Sequence, residues 1–195
     1  MNARDRIMGR VRAATLGREA VEHPGAFGGW RPSPPAENPV DAFNSLFEAA
    51  GGEVVRARSL DDAARWLADF QRGFDSVTTG VTVPRGLHTT LPPAPPQLAP
   101  LAVSRARGAV AETGSLLLDA RDGRRTQLLA PTHVVFVRSS EVHATFHEAL
   151  TEIIEDLPSA VALHSGPSKS ADIGQILVRG VHGPGRIIAV VIEDR

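Results

Sequence analysis

Cysteine is absent from the 195 residues, which removes disulfides, thiolate nucleophiles and the thiolate ligands that hold iron–sulfur clusters. Any redox cluster working with this chain must therefore belong to a partner. Lysine is almost absent: Lys169 stands alone against twenty arginines, so a chain that otherwise writes its positive charge as arginine departs from habit once. Neither sign of charge is in surplus, the net charge being −1, which argues against a nucleic-acid binder and against an acidic tail. No run approaches the roughly eighteen apolar residues of a membrane span, and the N-terminus lacks the continuous apolar stretch of a signal peptide. The cytoplasm is the expected compartment.

What is present is ordinary for a globular protein: 42% hydrophobic and 22% charged residues, enough for one well-buried core. Two regions are expected, residues 1–37 as an N-terminal helix with a proline- and glycine-rich linker, and residues 38–195 as a single α/β domain. Met1 to Arg18 is arginine-rich and amphipathic; Asp5 and Glu19 argue against a transit peptide, and Ile7, Met8, Val11, Ala14 and Leu16 fit loosely on a helix used for packing or partner contact. His23 to Pro39, with five prolines, reads as a linker.

Asn38-Pro39 opens a helix carrying Val40, Phe43, Phe47 and Ala50 on one face, with Gly51-Gly52 as terminator. Glu53 to Arg56 follows as a strand, then a Ser59-x-x-Asp62 capping box before Ala63, Trp66, Leu67 and Phe70. Another strand is expected within Ser76 to Val83, and an extended connection to Pro100. Beyond Ala109, Leu116 to Leu118, Gln127 to Leu129 and His133 to Val137 read as central strands. A helix is expected from Ser139 or Ser140 through Val142, Phe146, Leu150, Ile153 and Leu157, ending at Pro158. Val161 to Leu163 and Ile187 to Ile192 complete a layered α/β sheet with flanking helices.

Two stretches concentrate chemistry. Gly166 to Pro184 packs glycines, hydroxyls, one ammonium, one carboxylate and one imidazole into a segment without a long apolar run. It follows a strand, at the kind of edge where open α/β sheets bind ligands. Backbone amides near Gly166, the hydroxyls of Ser168 and Ser170 and the Lys169 ammonium suit a phosphate or carboxylate; self-capping of the loop is the alternative. The frame is not a Walker loop. Ser168, Asp172 and His182 have the composition of a nucleophilic relay without its spacing signature, against a structural reading in which Asp172 caps a helix and His182 fixes the Gly180 to Gly185 turn. The second stretch, Glu112 to Asp119, sets a carboxylate beside Thr113 and a tight Gly114. His143 and His147 stand four apart, but the sequence offers no clear third ligand, so no metal is expected.

Taken in order, Ala111-Glu112-Thr113-Gly114-Ser115, His147-Glu148-Ala149-Leu150, Ser165-Gly166-Pro167-Ser168, Ala171-Asp172-Ile173 and Gly180-Val181-His182-Gly183-Pro184 make the chain resemble the lactate-utilisation domain family, densely over Gly108 to Glu193. It is most similar to the short, cluster-free branch. The resemblance implies the fold shared by ribose-phosphate isomerases, sugar-phosphate deaminases and coenzyme A transferases. It also implies an accessory subunit of a bacterial L-lactate oxidation system, with no cofactor of its own and with iron–sulfur proteins as partners. Glu112, Thr113, Gly114, Gly166, Ser168, Lys169, Ser170, Asp172 and His182 would bind its ligand. A second reading, by analogy with the transferases, is a stand-alone enzyme on a phosphorylated or coenzyme A-linked substrate with Glu112 as base or nucleophile. The chain departs from the family at Lys169-Ser170, where Arg-Thr is more usual, and at Gly174, where glutamate is expected. Trp30 and the N-terminal arginines suit self-association or partner docking equally.

Overall fold

The computed structural model of the chain describes residues 2–18, 36–171 and 177–194, so most of the proline-rich stretch, Trp30, Asp172 and Gly174 lie outside the described residues. Contacts divide the chain into two units, residues 1–33 and 34–195. In the first, α1 (Ala3–Thr15) is capped by Asn2, whose side-chain oxygen accepts the Asp5 amide at 2.8 Å, and none of its residues is buried.

In the second unit α2 (Pro39–Ala49) begins with Asn38 accepting the Val40 and Asp41 amides, and with Pro39 in the first turn, where a missing N–H costs nothing. Val40, Phe43 and Phe47 recur at helical spacing and are buried; Gly51 closes the helix at φ 90°, in the left-handed region that glycine enters without strain. After β1 (Glu53–Ala57), α3 (Leu60–Phe70) starts at Ser59, whose hydroxyl accepts the Asp62 amide. β2 (Val77–Thr79) falls within the expected stretch, and the connection to β3 (Leu101–Arg105) is broken by a single 3-10 turn at Arg85–Leu87. β4 (Gly108–Val110), β5 (Ser115–Asp119), α4 (Arg124–Leu129), β6 (Thr132–Arg138), β7 (Val142–His143), α5 (Phe146–Ile153), β8 (Val161–His164), β9 (Lys169–Ala171), β10 (Leu177–Arg179) and β11 (Arg186–Ile192) follow.

Five of the strands form a wholly parallel sheet in the order β1-β11-β6-β3-β2, and four form a mixed sheet in the order β7-β4-β5-β8. The parallel strands are apolar on both faces, as strands covered on both sides must be. Ile188, Val190 and Phe136 face Ala63, Leu67 and Leu87, whereas Ile187, Ala189 and Val135 face Phe43, Phe47, Leu116 and Leu118. α5 covers the far face of the mixed sheet through Ala149 and Ile153 against Leu117 and Val110. The layers thus run α3, parallel sheet, mixed sheet with α2, α5.

Two expected elements differ. Gln127 to Leu129 is helical, not a strand. Gly123 at φ 81° turns the chain, the Gln127 amide reaches back to the Asp119 carbonyl at 2.5 Å, and Leu128 and Leu129 are both exposed, whereas alternation in a strand would turn only one of the two toward solvent. The helix expected from Ser139 begins only at Phe146. Asp194 accepts bonds from the Ser139 hydroxyl and from the amide and hydroxyl of Ser140, fixing a short 3-10 turn, and Thr145 with Glu148 supplies the actual capping box. His143 consequently sits in a strand and His147 on a helix. Leu116 to Leu118 is central, but in the mixed sheet.

Two polar side chains that bond each other, Ser104 and His133, are wholly inside. His133, on β6 between the two sheets, donates or accepts at Nε2 with the Ser104 hydroxyl at 2.9 Å, while its Nδ1 is buried without a partner. Burial, with nearby His164 as a lesser cause, pushes its pKa down to about 3.

Phe47 is fully buried, and Phe47→Ala should destabilise the fold by about 3–5 kcal/mol in urea titrations. A loss near zero would show that this face of α2 is not core. The unfolded chain protonates His133 below its ordinary value of 6.5 but the folded chain only near 3, so stability is full above pH 6.5 and declines as pH falls from there toward 3. His164, lowered by burial, adds to the same slope. Urea midpoints compared at about pH 7.5 and about pH 5 should drop in the wild type and drop less in His133→Leu; equal drops would exclude His133 as a source.

Candidate functional site

Glu112 to Ser115 is the tight turn between β4 and β5; Ser165 to Ser168 leaves the end of β8; Gly180 to Gly185 enters β11. Because β5 pairs antiparallel with β8, Leu116 opposite His164, the first turn and the second loop emerge side by side. A chain of hydroxyls joins them, Ser115 Oγ donating to Thr113 Oγ1 at 2.8 Å and lying 2.6 Å from Ser165 Oγ, fifty residues away in sequence.

The C-terminal end of α2 packs into both. A Cβ on Gly114, which stands at φ 57°, would lie 2.5 Å from Leu46 Cβ and 2.7 Å from the Phe47 nitrogen. One on Gly166, at φ 105°, would lie 2.9 Å from the Ala50 carbonyl oxygen. The Lys169 ammonium donates to that same Ala50 carbonyl. A cation at a helix C-terminus meets the negative end of the helix dipole.

Ser168 ties in the third loop. Its amide donates to the Pro184 carbonyl at 2.8 Å, its carbonyl accepts from Gly180 at 3.0 Å, and its hydroxyl accepts the His182 backbone amide at 3.2 Å. It is therefore the main chain of His182 that meets Ser168 Oγ. Ser170 pairs with Val178 in the β9–β10 hairpin. Glu112 Oε1 accepts the Phe146 amide at 2.7 Å, a carboxylate on the first turn of α5 where the dipole favours it. Asp172 is outside the described residues.

Between these loops lies an open cleft of about 440 Å³, walled by His164, Ser165, Lys169 and His182. Burial lowers the pKa of His164, so that imidazole is neutral at pH 7. A second cleft of about 550 Å³, reaching Arg179 and Pro131, adjoins it across a common wall of Leu128, His182 and Gly183. Sequence reasoning did not count His164, Ser165, Ser115 or Ala50 among the site residues, although Ser115 and Ser165 stand in the family motifs. The signal for His164 was a polar residue closing an otherwise apolar strand; Ala50 carried none, because it acts through its backbone.

The location also departs from expectation. The loop does stand at a strand end, but of the antiparallel β8. Relative to the parallel sheet it lies by Pro131 and Gly185, where β6 and β11 begin, and not at their carboxyl ends. His143 and His147 do not share a helix, and no group of three or more metal-ligating side chains occurs among the described residues; His143 Nδ1 lies 3.5 Å from the Glu152 carboxylate.

Comparisons with known proteins converge on the same segment. The model of the LUD domain matches residues 97–192. Lactate utilization protein C of Macrococcus caseolyticus is 36% identical over 94 residues, covering 44% of this chain and 41% of that protein. Lactate utilization protein C of Anoxybacillus flavithermus is 40% identical over 89 residues, covering 44% and 40%. The chain thus spans about two-fifths of the length of these curated relatives. The crystal structure of a DUF162 family protein from Deinococcus radiodurans shares the fold, with a TM-score of 0.60 over 79% of this chain and 96% of that one at 18% identity. The fold and the ordered motifs agree, and residues 97–192, which hold all three loops, match the LUD domain, the family that the sequence motifs resemble.

Proposed function

We propose that this protein is an accessory, cluster-free subunit of a bacterial L-lactate utilisation system, and that its loop cluster holds a small anion. The observation that carries the reading is the convergence of the three motif loops within the segment similar to curated lactate utilization proteins. Without a cysteine the chain offers no thiolate for an iron–sulfur cluster, so the electrons of lactate oxidation would pass to cysteine-rich partner subunits.

The chemistry of the cleft suits an anion. Among the described residues Lys169 donates one of its three N–H groups, to Ala50, which leaves two for a carboxylate or phosphate. The hydroxyls of Ser165 and Ser168 stand at the same wall, and no carboxylate is among the described residues lining it. The neutral His164 can donate or accept a hydrogen bond there without adding charge. Glu112, Thr113, Gly114 and Gly166 act one step back: they fix the turn and the loop against α2 and α5. The work of this subunit would be to bind and orient, with the redox step carried elsewhere.

Purified alone, the chain should oxidise no L-lactate with an artificial electron acceptor; turnover without added partners would sink the proposal. Lactate, pyruvate or phosphate at about a hundred times its dissociation constant should stabilise the fold by about 2.7 kcal/mol, read as a rise in Tm. Lys169→Ala should abolish that rise and cost a further 0.3–1 kcal/mol or so as α2 loses its terminal cation. Glu112→Gln should keep the rise. An undiminished shift in Lys169→Ala would move the anion away from this loop.

A further inference from the structure

We infer that the surface formed by α4, the end of β8 and the Gly180 to Gly185 loop is a docking face for an acidic protein partner, one presenting an apolar centre ringed by carboxylates. The inference rests on the accessory-subunit reading, since it supplies the contact that such a subunit needs. Four aliphatic side chains stand in solvent around the two adjoining clefts: Leu128 is 40%, Leu129 48%, Leu163 40% and Val181 51% exposed. Scattered exposed leucines mean little, but a group gathered about one groove is the usual mark of an interaction site.

Among the described residues that line the two clefts, the charge has one sign. Lys169 lines one cleft and Arg179 the other, and no carboxylate is among the described residues lining either. Arg124 and Arg125, both exposed, lie one turn before Leu128 and Leu129 on α4 and so flank the same aliphatic pair. In a chain of net charge −1 this is a local concentration rather than a general excess. Arginine suits such a rim because its planar fork binds carboxylates in pairs and sheds water readily.

The aliphatic rim favours a macromolecule as its occupant. A small anion at Lys169 would leave Leu128, Leu129, Leu163 and Val181 in solvent, whereas a protein surface would cover them. A second copy of the chain fits poorly, because two-fold pairing of this face would set the cationic groups of one copy against those of the other. An acidic partner instead neutralises them while covering the leucines.

The test uses the full chain, co-expressed and anaerobically purified with the cysteine-rich subunits of the proposed system, with binding rates read by biolayer interferometry at low and high salt. Leu128→Asp combined with Val181→Asp should weaken the complex at least tenfold, chiefly through faster dissociation. Arg124→Glu, Arg125→Glu and Arg179→Glu together should slow association and flatten its salt dependence. All five positions are exposed, so Tm and circular dichroism should match the wild type and separate lost binding from lost folding. A complex indifferent to both sets of changes overturns the docking face and leaves the functional reading standing. A wild-type chain that forms no complex overturns both. A chain that dimerises by itself in sedimentation, and ceases to do so in Leu128→Asp with Val181→Asp, assigns the face to self-association and overturns the inference.

Discussion

The closing turn of α2 approaches two loops so nearly that neither has room for a β-carbon at the contact. Gly114 meets the backbone of Leu46 and Phe47, and Gly166 meets the Ala50 carbonyl. Backbone packed against backbone leaves little freedom, and each contact is made by a residue whose positive φ an ordinary side chain would resist. The helix therefore sets where the Glu112 turn and the Ser165 loop stand relative to each other. It can do so because Phe43 and Phe47 anchor its other face in the core shared by the two sheets. Residues 39–49 precede the segment matching the LUD domain, so the loops of that segment take their position from a helix that comes before it in the chain.

Within the loops, the polar side chains serve the fold before they serve a ligand. Glu112 sits at the N-terminus of α5 and Lys169 at the C-terminus of α2, each at the helix end where the dipole favours its sign. Ser115 and Ser168 fasten one loop to the next. Among the described residues, what these bonds leave over for chemistry is two N–H groups of Lys169, the ring of His182 and the neutral edge of His164. Removing Lys169 therefore tests two things at once, and the stability it contributes as a cap must be read apart from the anion binding proposed for it.

Where local rules governed, the sequence was legible. Asn38-Pro39, Ser59 with Asp62, and the two long apolar strands behaved as capping preference and hydrophobic pattern dictate. It misled where a distant partner decided. Ser139 and Ser140 look like a helix start until Asp194, over fifty residues later, draws both into a 3-10 turn. Gln127 to Leu129 looks like a strand until the Gln127 side chain folds back onto Asp119. The motif loops were visible as composition, and their meeting was not, because it depends on β5 pairing antiparallel with β8. The same pairing put the cleft where the parallel strands begin, opposite to where an open parallel sheet would lead one to look.

The common wall of the two clefts carries the last step. Leu128, His182 and Gly183 face both, and the His182 segment is held to the Ser165 loop by the three main-chain and hydroxyl bonds of Ser168. An anion drawn to Lys169 and a carboxylate drawn to Arg179 would thus bear on one short loop from opposite sides. A shift in that loop that improved the fit of one would change the fit of the other, and by thermodynamic necessity the effect would be reciprocal. A site built this way would not need to perform a reaction to matter to one, because it would tie the occupancy of the cleft to the grip on a neighbour.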